Sequence, residues 1–237
     1  MEWKTEMKSA AILGILLALG LLLGGTQVKQ AVGVWKQADR IVTVKGLAER
    51  EVQADLVLWP LSYSVTGTTL ESTHAELAKG EEKIRSFLVR HGFAAEDITS
   101  TAPQVTDLWT YAGDNRPKDR YKADGVVLLR TAQVDRVKLT MPKTSELVAD
   151  GVLISTSWEH KPQYIFTKLN DIKPEMIAEA TRNAREAAEQ FADDSDSKIG
   201  KIRSAQQGYF SVEDLDSYTP EIKKIRVVTT VEYLLVN

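Results

Sequence analysis

From Val42 the chain alternates apolar and polar positions. Val42 and Val44 are separated by Thr43 and Lys45, the two-residue period of a half-buried strand. Leu56, Val57, Leu58 and Trp59 form an apolar run, and alternation continues at Leu61, Tyr63 and Val65. Joined by a short polar reversal, these runs predict a strand hairpin on which the rest of the chain is laid. Thr68 or Thr69 can cap a following helix, in which Leu70, Leu77, Ile84 and Leu88 recur at helical spacing. Gly80 falls on the same face, where its cost to the helix is explained by close approach to a sheet. Gly92 suits the left-handed position that ends a helix, with Phe93 folding back on Leu88.

The pattern then predicts a strand from Glu96 to about Tyr111, a turn over Gly113–Lys118, and a long strand from Tyr121 to Leu139 centred on Val126–Leu129. Pro142 starts a short helix through Leu147 and Val148, stopped by Gly151. Gln163–Leu169 reads as a strand. Asp171 or Lys173, ahead of Pro174, marks the start of a long helix with a buried stripe of Ile177, Ala180, Ala184, Ala187, Ala188 and Phe191. Its outer face offers the i,i+4 pairs Arg182–Glu186 and Arg185–Glu189. Lys198–Phe210 and Lys224–Val236 are the last predicted strands. The second half repeats the element order of the end of the first, which suggests a duplication of about 100 residues. The fold class is α+β: an N-terminal transmembrane helix, then an antiparallel sheet with long helices packed on one face.

Ser9–Val28 carries no charge and is long enough to span a bilayer. An uncleaved signal-anchor is favoured over a cleaved signal peptide, because the small-x-small sites near Gly24, Gly25 and Ala31 are poor. Residues 1–8 then form a cytoplasmic N-terminus, 9–28 the anchor or signal peptide, 29–39 a linker and 40–237 the folded domain. The domain is expected on the periplasmic or extracellular side of the cytoplasmic membrane, or free in the periplasm if the segment is cleaved.

Across 237 residues a charged fraction of 27% and a hydrophobic fraction of 43% are ordinary for a folded domain. A net charge of −3 supplies no basic field for nucleic acid. The absence of cysteine removes disulfides, thiolate metal sites, a Cys nucleophile and a lipoprotein anchor. His74, His91 and His160 are scattered, where zinc needs converging ligands. Asp193, Asp194 and Asp196 lack the glycine and distal glutamate of a calcium loop. No nucleophile elbow or glycine-rich phosphate loop occurs. Glu49/Glu51 and Glu81/Glu82 read as solvated surface carboxylates, and Lys223, Lys224 and Arg226 as protection of a sheet edge. No catalytic, cofactor or metal residue is therefore assigned. Two long loops are candidate partner surfaces. One is Tyr209–Pro220, with Tyr209, Phe210, Asp214, Asp216 and Tyr218; the other is Trp109–Tyr121.

Several short stretches carry a family resemblance in their order and spacing. They are Val44-Lys45-Gly46, Val52-Gln53-Ala54-Asp55, Gly92-Phe93, Glu96-Asp97-Ile98-Thr99, Pro103 and Arg120-Tyr121-Lys122-Ala123. The alanine-rich helix around Ala180–Ala192 and Ile199-Gly200-Lys201-Ile202 complete the set. Together they resemble SIMPL-domain proteins over residues 40 to 236. Ala48, Gln53-Ala54-Asp55, Arg120 and the Asp193–Lys198 stretch depart from the family pattern. The resemblance implies a secreted, periplasmic or membrane-anchored protein, loosely associated with envelope or oxidative stress, without established catalytic residues and open to homo-oligomeric assembly. The expectation is a non-enzymatic, membrane-tethered, self-associating protein. The alternative is a small-molecule or lipid binding module with an apolar cavity between sheet and helices.

Overall fold

In the computed structural model, which describes residues 40–155 and 160–236 together with Gly20, the first alternating stretch forms two long strands. They are β1 (Ile41–Gln53) and β2 (Leu56–Gly67). The chain continues through α1 (Leu70–Arg90), β3 (Ile98–Ser100), β4 (Gln104–Asp107), β5 (Tyr121–Thr131), α2 (Val134–Thr140) and α3 (Ser145–Ala149). It ends with β6 (Leu153–Ser155), β7 (Gln163–Ile165), α4 (Leu169–Asp194), β8 (Lys198–Gln207), β9 (Ser211–Asp214) and β10 (Ile222–Val236). The class is α+β with antiparallel pairing, but there are two sheets where one was expected. The described residues divide into two units: residues 40–49, 173–211 and 226–236, and residues 50–172 and 212–225.

The predicted hairpin does not form. β1 pairs with β10, while β2 pairs with β5, β6 and β7. The link between them explains why. Ala54 N–H donates to Glu221 O (2.8 Å) and Asp55 N–H to Ile165 O (3.0 Å), so remote segments take the bonds that a hairpin turn would have used. The Asp55 carboxylate also accepts from Thr167 N and Oγ1, each at 2.8 Å.

In the larger unit the strand order is β3-β5-β2-β6, with β4 also on β5 and β7 also on β2. Alternate residues of β2 and β5, including Val57, Trp59, Leu61, Tyr63, Val127 and Leu129, are buried and meet Ile84, Phe87 and Leu88 of α1. Thr69 caps α1: its Oγ1 accepts from Ser72 N, and Ser72 Oγ accepts from Thr69 N. Thr73 rather than Leu70 begins the buried face. Leu70, in the first turn, is 56% exposed. At the other end Gly92 takes φ +87° and Phe93 N–H donates to Leu88 O at 3.1 Å, as its position in the sequence predicts.

Other boundaries move for identifiable reasons. The strand predicted from Glu96 to about Tyr111 is two short strands interrupted at residues 101–103, where Pro103 has no N–H to give to β5. The strand predicted to reach Leu139 ends at Thr131; Val134 and Val137, three apart, are the buried face of α2. The strand predicted to Leu169 stops at Ile165, where Asp55 ties down Thr167. Helix α4 begins at Leu169 and carries Pro174 inside it.

The smaller unit holds β1-β10-β8, and β9 pairs with β10. The buried ladder of α4 is Met176, Ala180, Ala184, Ala188 and Ala192, an i,i+4 row, so Ile177 and Ala187 lie at its margin and Phe191 is 60% exposed. Val44, Val231 and Tyr233 receive Ala184 and Ala188. A Cβ on Gly46 would lie 1.8 Å from Ala180 O, so the helix rests on strand backbone. Arg185–Glu189 forms at 3.0 Å. Asp196, at φ +50°, closes the chain after α4. Because β10 is an inner strand, pairing with β1, β8 and β9, the edge-protection reading of Lys223, Lys224 and Arg226 gives way. Lys223 is buried and paired with Asp214, and Arg226 faces Glu49 at 3.6 Å.

Among the described residues no helix is long and apolar enough to cross a membrane. The apolar segment Ser9–Val28, on which the anchor reading rests, lies outside them apart from Gly20.

Candidate functional site

The predicted surface Tyr209–Pro220 is divided by the fold. Tyr209 and Phe210 belong to the smaller unit; Asp214, Asp216 and Tyr218 belong to the larger. Tyr209 is fully exposed and Tyr218 is 94% exposed. Phe210 is half-buried, with Lys173 Nζ 5.7 Å from its ring centroid. The acidic residues are used within the loop and its flanking strands. Asp214 pairs with Lys223. Asp216 accepts from Tyr218 N (2.7 Å), Thr219 N (2.8 Å) and Thr219 Oγ1 (2.7 Å), an Asx turn. Those bonds, Thr219 Oγ1 first, hold its carboxyl below the usual range.

The loop from Trp109 to Tyr121 is built around the indole. Trp109 Nε1 donates to Pro117 O at 3.0 Å, and the guanidinium carbons of Arg116 and Arg120 sit 5.5 and 5.2 Å from its ring centroid. Arg120 also makes two bonds to Asp107 Oδ2, at 3.0 and 2.8 Å. Hydrogen bonding to Arg120, then to Trp109 N, lowers the Asp107 pKa. Arg116 and Arg120 are thus turned to Trp109, Tyr121 and Asp107, and Tyr111 projects fully into solvent.

A third site was missed. Tyr63 of β2 lies between two glycines. A Cβ on Gly80 would come within 2.8 Å of its ring, and one on Gly125 within 2.7 Å. The ring therefore occupies space that any other residue at either position would fill. Its hydroxyl donates to Leu77 O at 3.1 Å. Burial, and then the charge of Glu81, push the phenol up to about 12, so it stays protonated. Above the ring opens a cleft of about 150 Å³ lined by Tyr63, His74, Glu81, Ser100, Thr101 and Gly125, among others. His74, Leu77, Ala78 and Glu81 are one face of α1, at i, i+3, i+4 and i+7. The opposite wall is the interruption between β3 and β4. There the register passes from Ser100↔Val127 to Gln104↔Asp124, leaving three residues against two. This is bulge geometry, a device that re-aims side chains.

Glu81, read from sequence as a solvated carboxylate, anchors this wall. Its Oε1 accepts from Ser100 Oγ (2.6 Å) and Arg85 Nε (2.9 Å). Arg85 also donates to Ile98 O (3.1 Å) and Ser100 Oγ (2.8 Å). The bond from Ser100, followed by that from Arg85, lowers the Glu81 pKa. The one local signal for the site was Gly80 on a buried helix face; the partner residues come from segments remote in the chain.

His91 and His160 are not part of the cleft; His91 Nε2 lies 3.3 Å from Glu146 Oε2. Among the described residues no three His, Cys, Asp or Glu side chains converge as a metal site. A carboxylate that is buried, Glu221, pairs with Lys138; burial raises its pKa, but the lysine and the local backbone outweigh it and the net shift is downward.

The residues that carried the resemblance have structural places. Gly46 lies under α4, Gly92 and Phe93 end α1, and Ile199–Ile202 opens β8. The model of the SIMPL family, a protein of unknown function (DUF541), matches residues 42–233. The chain belongs to the SIMPL family. The match runs through both units of this SIMPL chain and ends within β10. SIMPL is not a known enzyme family. No curated protein matches the chain.

Proposed function

We propose that this SIMPL protein is a non-enzymatic, membrane-tethered extracytoplasmic protein that self-associates through β8. The tether is the uncharged segment Ser9–Val28, whose length suits a bilayer. The observation that carries the assembly reading is strand β8. It is ten residues long, pairs with β10 on one side, and is exposed from Lys201 to Gln207. Among the described residues no strand pairs with its other side. An exposed strand edge offers a row of backbone donors and acceptors to another chain.

The pairing of β8 with β10 selects the stretch. It is regular from Ser204 to Gln207 but shifts at Arg203, which is left over between Glu232↔Ser204 and Tyr233↔Ile202. A bulge ends regular pairing, so a second β8 is placed antiparallel on Ser204–Gln207, with Ala205 opposite Gln206. Ala205→Lys and Gln206→Lys made together would set like charges directly opposite and weaken association about tenfold. Light scattering of residues 38–237 over a concentration series measures this. A discrete oligomer that these two substitutions weaken together supports the reading. A monomer at every concentration, or an oligomer indifferent to both, overturns it.

A further inference from the structure

From the cleft above Tyr63 we infer a binding site for a primary alkylammonium group, with Glu81 as its anionic anchor. The inference does not depend on self-association, because every residue it uses lies in the larger unit and none is on β8.

The argument is a count of donors and acceptors. Two hydroxyl donors at the cleft are already used: Tyr63 O–H on Leu77 O, and Ser100 O–H on Glu81. The donors of Arg85 are turned to Glu81, Ile98 O and Ser100, and Arg85 does not line the cleft. Of what remains, Glu81 Oε2 can only accept, while the Thr101 hydroxyl and the His74 imidazole can accept or donate. Glu81 Oε2, Thr101 Oγ1 and the His74 imidazole have no hydrogen-bond partner among the described residues. A ligand that meets the carboxylate oxygen and uses the other two as acceptors brings several N–H donors and positive charge, which an ammonium group does. An anion would instead meet the Glu81 carboxylate without a free cation to receive it.

Shape limits the rest of the ligand. Leu77, Ala78, Pro103 and Val126 supply apolar wall, and the cavity of about 150 Å³ is too small for a lipid chain or a large ring. It suits a few methylene groups behind the ammonium. The two glycines keep the floor open, since side chains at Gly80 or Gly125 would displace Tyr63.

The test titrates n-butylammonium into the full chain in detergent micelles and follows backbone amides by 1H–15N NMR. Shifts are expected around Tyr63, His74, Ser100 and Gly125, with a dissociation constant on the order of millimolar for so few atoms. Butyrate should give none, and n-butanol should bind at least about tenfold more weakly. Glu81→Gln keeps an oxygen for Ser100 and Arg85 but removes the charge, and should weaken the amine about tenfold. Ala78→Leu, at an exposed helix position, should fill the cleft and abolish binding. N-acetyl-lysine-N-methylamide as a second probe separates a lysine side chain, which it mimics, from a free amine, which would bind more tightly than it. Absence of localised shifts, equal binding of n-butanol, or unchanged binding by Glu81→Gln or Ala78→Leu would overturn the inference.

Discussion

Helices α1 and α4 approach their sheets by opposite means. Helix α4 presents the small ladder Ala180–Ala184–Ala188–Ala192, and β1 answers with Gly46, so backbone meets backbone. Helix α1 presents Ile84, Phe87 and Leu88 and interdigitates with large side chains of β2 and β5, keeping one gap, Gly80, for the Tyr63 ring. Close-packed backbones leave no side chain that can move aside. Interdigitated side chains can repack at moderate cost, and they leave irregular margins in which a cleft can open. The cleft of about 150 Å³ beside Tyr63 lies at such a margin.

The largest effect expected from this contrast is Gly46→Ala. The new Cβ would fall 1.8 Å from Ala180 O and 2.4 Å from Ala184 N, both backbone atoms. Relief requires lifting the helix off the strand, so the loss should be about 4 kcal/mol, the range of severe packing defects. Urea denaturation measures it; a loss below about 1 kcal/mol would show that α4 is not seated on β1. Gly80→Ala should cost less, about 1 kcal/mol. Its Cβ meets the Tyr63 ring at 2.8 Å, but the ring can shift, and alanine recovers part of the cost through helix propensity. The same denaturation series gives the ratio of the two losses, and equal losses would erase the distinction between the helices.

The smallest effect is electrostatic. Hydrogen bonds from Ser100 and Arg85 lower the Glu81 pKa in the folded state. The resulting stabilisation is complete above the unfolded value, about 4.3, and is lost as pH falls through the folded value. Glu81 is more than one-third exposed, so the contribution is a few tenths of a kcal/mol. Stability of Glu81→Gln measured by urea from pH 6 to 3 should therefore fall slightly less steeply with acid than that of the parent. A steeper fall would mean that the carboxylate is not held by its two donors.

Much of the element order was legible. Capping by Thr69, termination at Gly92, the alanine helix and the reason for Gly80 all rest on local chemistry or one helix face. The errors share a cause. The hairpin of β1 and β2 was inferred from adjacency, yet Ala54 and Asp55 bond to Glu221 and Ile165, more than 100 residues away in sequence. Val134 and Val137 read as strand only when the apolar run Val126–Leu129 is carried on past Thr131; their spacing of three is that of a helix face. The predicted aromatic–acidic loop was correct in exposure at Tyr209 and Tyr218, but Asp214 and Asp216 proved to be turn and ion-pair residues. Glu81 could not be separated from its neighbour Glu82 without knowing that Ser100 stands opposite.

By itself the sequence determined the α+β class, the position and ends of α1, the small-residue face of α4 and membership of the SIMPL family. These depend on periodicity, caps and glycine conformations, which are properties of neighbours along the chain. Among the described residues, the tertiary structure alone decided that two sheets form and that β8 lies at the end of its sheet. It also decided that Tyr63, Glu81, Ser100 and Gly125 share one cleft. Strand pairing and cleft assembly join segments tens to more than a hundred residues apart, and a one-dimensional pattern carries the preference of a residue for burial without naming the surface it is buried against.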